Sequence, residues 1–319
     1  MINHSRLHVS SKLVAILCVA IFFASFFFIL QNIQIEKTKE IEIQQVSPAE
    51  YYGGIKILAK SAYVFDYTDQ QSLFGLNENT PRPIASLTKI MSVPLALETL
   101  GDDSIVVIPN KADLESESDY DLELGAKWNI QALADFTLLG SSDVGAEVLQ
   151  DAVDAFLKTT NSPFSFVDLM NSRASELGLL HTNFLNASGL DINKTQPGAT
   201  GTARDMLNLV GALLPEYSAL FSQTTEPSAT FYDLSGRKYV VANTNTTLAE
   251  LSPVLFSKTG YTDLAGGNLL IVYQSHGKMI GICVLGSTYD GRFTDVITLK
   301  EETEVYLNAV QNQNADVLQ

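Results

Sequence analysis

The chain has 319 residues, 46% of them hydrophobic, enough to bury a core in one large domain or two packed ones, which excludes a disordered or fibrous protein. Twenty Lys and Arg stand against 36 Asp and Glu, for a net charge of -16, and no basic cluster is present to neutralise phosphates, so no nucleic-acid partner is expected. Two cysteines, Cys18 and Cys283, and four scattered histidines form no pattern with metal-ligand spacing, so neither a metal nor another cofactor is expected.

The first element is an uncharged apolar run, Leu13 to Leu30, long enough as a helix to cross a bilayer. Arg6 and Lys12 precede it and mixed charges follow from Glu36 to Glu42, so the positive-inside rule leaves residues 1–12 in the cytoplasm and the rest outside. The run ends without a small-x-small cleavage site, which favours an uncleaved single-pass anchor over a signal peptide. Residues 13–30 are then the transmembrane helix, 31–50 a polar linker, and 51–319 the folded domain at the cell membrane's outer side.

Ser61 to Asp66 and Gln71 to Leu76 read as a pair of strands around the turn Tyr67 to Gln70. After a loop marked by Pro81 and Pro83, Ser86 opens an apolar-periodic helix with Pro94 inside it. Further helices are expected over Ile130 to Leu139, Val144 to Leu157, Phe166 to Leu177 and Arg204 to Leu214, the last with Thr202 and Asp205 spaced as a capping box. Strands return at Lys238 to Ala242, Val254 to Thr259, Gly267 to Tyr273 and Met279 to Leu285, the last two joined at His276-Gly277, before a helix from Thr294 to Val310. The pattern implies an α/β chain of the α+β kind: an antiparallel sheet built from both ends of the chain, flanked by helices, with a helical subdomain.

Ser86-Leu-Thr-Lys89 puts a hydroxyl and an amine one helical turn apart on one face, the arrangement an amine needs to take a serine proton. The triplet spacing also occurs at Ser235 to Lys238 and Ser275 to Lys278, so alone it reads equally well as a Ser cap. Position distinguishes Ser86, which follows the proline loop and begins a helix. Lys258-Thr259-Gly260, at the end of an expected strand, supplies a cation and a hydroxyl for a carboxylate, with a glycine for close approach. Ser-x-x-Lys and Lys-Thr-Gly are two of the three motifs that mark penicillin-binding proteins and class A β-lactamases.

The stretches Ala85 to Met91 and Lys258 to Asn268 resemble the D-alanyl-D-alanine carboxypeptidase family of low-molecular-mass penicillin-binding proteins. So do Leu124 to Leu139, Phe184 to Asp191, Thr202 to Asp205 and Asn243 to Asn245, so the resemblance runs from Ser61 to Leu285. It implies a β-lactamase/DD-peptidase-like fold and a serine-type DD-peptidase acting on peptidoglycan stem peptides, with β-lactams as covalent inhibitors. By the same resemblance Ser86 is the nucleophile and Lys89 the general base, Lys258 and Thr259 hold the substrate carboxylate, and the N–H groups of Ser86 and Tyr261, beside Gly260, form the oxyanion hole. At the second motif the family has Ser-x-Asn and this chain has Ser141-Ser142-Asp143, so Ser141 keeps a proton-relay role while Asp143 replaces a donor with an acceptor.

Three other readings are weighed. A Ser-His-Asp hydrolase needs a base, for which only His181 is available, and the chain has no Gly-x-Ser-x-Gly elbow. A class A-like β-lactamase needs a deacylating carboxylate, for which Glu176 is the candidate. A peptidoglycan-binding homologue weakened in catalysis is the reading in which Asp143 has cost the site its activity.

Overall fold

The computed structural model describes residues 22–31, 46–109 and 122–317. The chain divides into a unit ending at Val46 and a larger unit from Ser47 to Gln319. In the first unit residues 22–31 are helical and expose Phe22, Phe23, Phe26, Phe27, Phe28, Ile29 and Leu30. No helix among the described residues is long and apolar enough to cross a membrane. The expected anchor is described only from residue 22 onward; residues 1–21 and 32–45 lie outside the described residues.

The larger unit opens with a short helix, Pro48–Tyr52, whose buried Tyr52 stacks on Phe74 and hydrogen-bonds Thr303. Strands β1 (Ser61–Asp66) and β2 (Gln71–Leu76) follow, then helices α1 (Lys89–Leu100), α2 (Ile130–Gly140), α3 (Asp143–Thr159), α4 (Phe166–Glu176) and α5 (Ala203–Leu213). The chain returns to strand in β3 (Val254–Thr262), β4 (Gly266–Ser275) and β5 (Lys278–Ser287) and ends in α6 (Gly291–Val317). The main sheet has the order β3-β4-β5-β1-β2, antiparallel at every pairing, so the two ends of the chain meet where Tyr63 lies opposite Cys283. This is the antiparallel sheet expected from strands at both ends.

Helix α6 packs on β4 and β5, and α5 packs on β1 and β5. Buried Asp295 of α6 accepts from the backbone N–H groups of Leu58 and Ala59 and from the Ser287 hydroxyl, pinning the entry to β1 against the last helix. Helix α1 runs through the interior between α2 and α3; every residue from Lys89 to Leu97 is buried, so it lacks the polar stripe of a surface helix. It continues through Pro94 without a break.

Several expectations need adjusting. Helix α1 starts at Lys89, because Ala85–Thr88 forms a tighter 3-10 turn. The expected capping box at Thr202 is half formed: Thr202 accepts from the Asp205 N–H, but the Asp205 carboxylate turns to the His181 N–H and the Thr182 hydroxyl. A reciprocal box occurs instead at Ser165 and Asp168, opening α4. Strand β3 runs on past Thr259 to Thr262, so Lys258-Thr-Gly lies within a strand, not at its end; the turn comes at residues 263–265 and closes on left-handed Gly266. Three small sheets among the described residues were not expected: the strand Lys238–Ala242, itself expected, pairs with Ser228–Tyr232; Ile105–Val107 pairs with Lys127–Asn129; and Ala199–Gly201 pairs with both Arg82–Pro83 and Asn183–Phe184.

Candidate active site

Ser86 sits in the 3-10 turn directly after Ala85, whose φ of 47° is left-handed and unusual for a residue with a side chain. The Leu87 N–H bonds the Ile84 carbonyl and the Thr88 hydroxyl bonds the Ala85 carbonyl, closing the turn tightly. Lys89 begins α1 one turn later and reaches back, its Nζ 2.9 Å from Ser86 Oγ. Gly260 of β3 lies against this turn: a Cβ there would come within 3.0 Å of the Ile84 carbonyl oxygen and 3.2 Å of the Ser86 nitrogen. A side chain there would oblige the strand or the serine turn to give by a few tenths of an ångström.

Lys89 is wholly buried and makes three contacts, to Ser86 Oγ, to Asp143 Oδ1 at 2.6 Å and to the Ser188 carbonyl at 3.0 Å. Asp143 is the first residue of α3, presented there by Ser142, which caps the helix by accepting from the Gly145 N–H. Ser141 ends α2 in a left-handed conformation, φ 59°, between the two helices. Its hydroxyl accepts from Lys258 Nζ at 2.7 Å, and Lys258, also buried, donates further to the Thr259 carbonyl. Burial drives the Lys258 amine well below the usual lysine pKa; the charge of Lys89 lowers it further, Asp143 opposes the shift and Arg292 adds to it.

A cavity of about 300 Å³ joins these groups, lined by Ser86, Ser141, Asp143, Thr259, Gly260 and Tyr261 together with Thr244, Tyr289 and Arg292. The structure thus brings Ser86, Ser141, Asp143, Thr259, Gly260 and Tyr261 to one cavity, and Lys89 and Lys258 directly behind it. Thr244, Tyr289 and Arg292 were missed in the sequence. Thr244 shares a 2.6 Å hydrogen bond with Thr259, and it lies in the Asn243-Thr-Asn245 stretch that the family resemblance already marked. Arg292 is 3% exposed, donates to the Gly260 carbonyl, and stacks over the rings of Tyr289 and Phe293. Its Nε has no partner among the described residues, and nothing local in Thr288-Tyr-Asp-Gly-Arg292 signals a site. Asp191 braces the β3–β4 turn beside the cavity, accepting from the Thr262 hydroxyl and the Leu264 N–H.

The rival residues lie elsewhere. Glu176 is at the end of α4, 63% exposed in its side chain and paired with Arg173, and it does not line the cavity. His181 is exposed and meets Asp205 only through its backbone. Ser275 and Lys278 lie across the β4–β5 turn, and Ser235 in the turn before Lys238. A larger cleft, about 580 Å³, is lined by Glu98, Asp102, Asp135 and Glu216, with burial raising Asp135 to about 6 against a hydrogen bond from Gln131; it holds no serine or lysine.

Comparison with known proteins points the same way as the geometry. A family model described as D-alanyl-D-alanine carboxypeptidase matches residues 44–288. A D-alanyl-D-alanine carboxypeptidase of Mycobacterium tuberculosis is 29% identical over 233 residues, 69% of this chain and 75% of that protein. A D-alanyl-D-alanine endopeptidase of Haemophilus influenzae is 27% identical over 246 residues, 74% of this chain and 80% of the relative. Among solved structures, penicillin-binding protein D2 from Listeria monocytogenes in its cefotaxime-bound form is similar with a TM-score of 0.67 at 28% identity, covering 78% of this chain and 98% of that one.

Proposed function

The chain belongs to the D-alanyl-D-alanine carboxypeptidase family, and we propose that it hydrolyses the D-alanyl-D-alanine bond of peptidoglycan stem peptides through an acyl-enzyme on Ser86. The observation that supports this most is the pairing, around one cavity, of a serine hydroxyl bonded to a buried lysine with a second serine bonded to a second buried lysine. Such a set activates a nucleophile and returns a proton to the leaving group. Ser86 Oγ attacks the carbonyl carbon of the penultimate residue, its proton passing to a neighbouring amine. The oxyanion collapses, the C–N bond breaks, and the departing D-Ala amine takes a proton back by way of Ser141. Water then repeats the sequence on the ester. Backbone N–H groups of Ser86 and Tyr261 are the proposed oxyanion donors, held together by the tight seat of Gly260. β-Lactams are proposed to acylate the same hydroxyl.

Thr259, Lys258 and Arg292 are the proposed carboxylate site, the unpartnered Nε marking Arg292 as a guanidinium with a donor to spare. The native chain is expected to release D-Ala from a peptide ending in D-Ala-D-Ala. Arg292→Ala should lower kcat/KM for that free acid roughly 10- to 100-fold more than for the peptide's C-terminal amide, the size of a hydrogen bond to a charged group. No D-Ala release by the native chain sinks the function; equal losses on acid and amide sink the role of Arg292.

We also propose that residues 13–30 anchor the chain with its catalytic domain outside the cytoplasm, supported by the uncharged run in the sequence and the exposed phenylalanines at 22–28. The full chain should stay with membranes through an alkaline carbonate wash, and release into the wash would refute the anchor.

A further inference from the structure

We propose that the cavity is built for a leaving residue larger than D-alanine: a D-amino acid with an apolar or aromatic side chain, its carboxylate on Arg292 and its side chain against the rings of Tyr261 and Tyr289. The inference rests on the proposed function and names the leaving group that the same site prefers.

The lining of the cavity divides by chemistry. Ser86, Ser141, Asp143, Thr244, Thr259 and Arg292 present hydroxyls, a carboxylate and a guanidinium. Among the described lining residues, only Tyr261 and Tyr289 offer a large apolar surface. Their rings meet edge to face, with centroids 5.1 Å apart and planes at 84°, an arrangement that aromatic pairs favour. This contact does not bury them: Tyr261 stays 46% exposed and Tyr289 56%. Apolar surface left in water at a cavity stabilises a ligand in proportion to the area that the ligand covers. An apolar substituent seated in this cavity therefore has one favourable place to lie.

Arg292 fixes which part of the ligand reaches the rings. Its guanidinium carbon lies 4.3 Å from the centre of the Tyr289 ring, and its Nη1 donates to the carbonyl of Gly260, the residue before Tyr261. The group proposed to hold the substrate carboxylate is thus stacked on one tyrosine and bonded to the backbone beside the other. In a peptide that carboxylate belongs to the residue that leaves, and the side chain springs from the carbon next to it. The methyl of D-alanine covers little of two rings; a branched or aromatic side chain spans more of both. The balance of the reaction is unchanged: the C–N bond breaks, the leaving amine takes a proton, and water supplies the hydroxyl that ends the acyl group as an acid.

The experiment measures kcat/KM of the full chain for acetylated peptides ending in D-Ala-D-Ala, D-Ala-D-Leu and D-Ala-D-Phe, in native, Y261A and Y289A forms. The native chain should prefer the D-Leu and D-Phe peptides by about tenfold or more, since each methylene moved from water onto the rings is worth roughly a factor of two to four. In each variant the preference should fall to within about threefold. Y261A keeps its backbone N–H, and Y289A, by removing the ring under Arg292, affects all three free acids alike, so the ratio isolates the side chain. Equal rates on the three peptides in the native chain, a preference for D-Ala, or a preference that survives both substitutions overturns the proposal and leaves the peptidase reading standing. A native chain that cleaves none of the three overturns the functional reading and the proposal with it. Should a variant fail to fold, the native chain alone decides: free D-phenylalanine should protect it from acylation by a β-lactam at about tenfold lower concentration than free D-alanine, and equal protection refutes the proposal.

Discussion

Ser86→Ala is expected to abolish covalent labelling by a fluorescent penicillin while leaving the fold intact. Among the described cavity residues, the Ser86 hydroxyl is the one bonded to the buried Lys89 amine, and it belongs to the residue whose own N–H is a proposed oxyanion donor. Ser141 also lines the cavity but is engaged by Lys258, with its backbone in a left-handed turn. The structural cost of the substitution is small. Ser86 is partly exposed, its Cβ remains, and Lys89 keeps Asp143 and the Ser188 carbonyl as partners. Stability measured by urea unfolding should change by less than about 1 kcal/mol, as at sites where no buried group is left unpaired. Persistent labelling of the alanine variant would mean that another residue is the nucleophile; a large loss of stability would mean that the test had not isolated the hydroxyl.

The residues that carry the chemistry and those that complete its surroundings were not equally legible. Strands β1 and β2 were readable to the residue because β-branched and aromatic side chains and a polar turn agree over the whole hairpin. The pairing of Ser86 with Lys89 was legible from the spacing only together with the proline loop before it and the Lys258-Thr-Gly motif. By contrast, the 3-10 turn at Ser86 depends on a left-handed Ala85, which no propensity would suggest, and which Gly189 permits by coming so close that a Cβ there would meet the Ala85 carbonyl. Arg292 and Tyr289 enter the cavity only because β5 and α6 return the chain beside β3, a tertiary event without a local signature. The Ser188 carbonyl was likewise invisible, being a backbone group whose partner is 99 residues away.

Asp143→Asn should accelerate acylation about tenfold and move its pH profile to lower pH. In the native site the carboxylate occupies one donor of Lys89, and the cavity gains an acceptor where a substrate carbonyl would need a donor. An asparagine can turn its oxygen to Lys89 and its NH₂ to the cavity, gaining a substrate hydrogen bond worth roughly 1 kcal/mol, or most of a factor of ten in rate. The pH shift follows from the second lysine. Burial and the charges of Lys89 and Arg292 all lower the Lys258 pKa, and Asp143 is the group that holds it up. Neutralising Asp143 removes that support, so the Lys258 amine gives up its proton at lower pH. A rate that depends on a free amine rises as pH climbs through its pKa, so the acid limb of the variant should lie below that of the native chain. The measurement is second-order acylation by one β-lactam across roughly pH 6 to 9. Slower acylation by the variant, or a superimposable profile, would show that the site has been built around the carboxylate and that Asp143 takes part in proton transfer instead of restraining it.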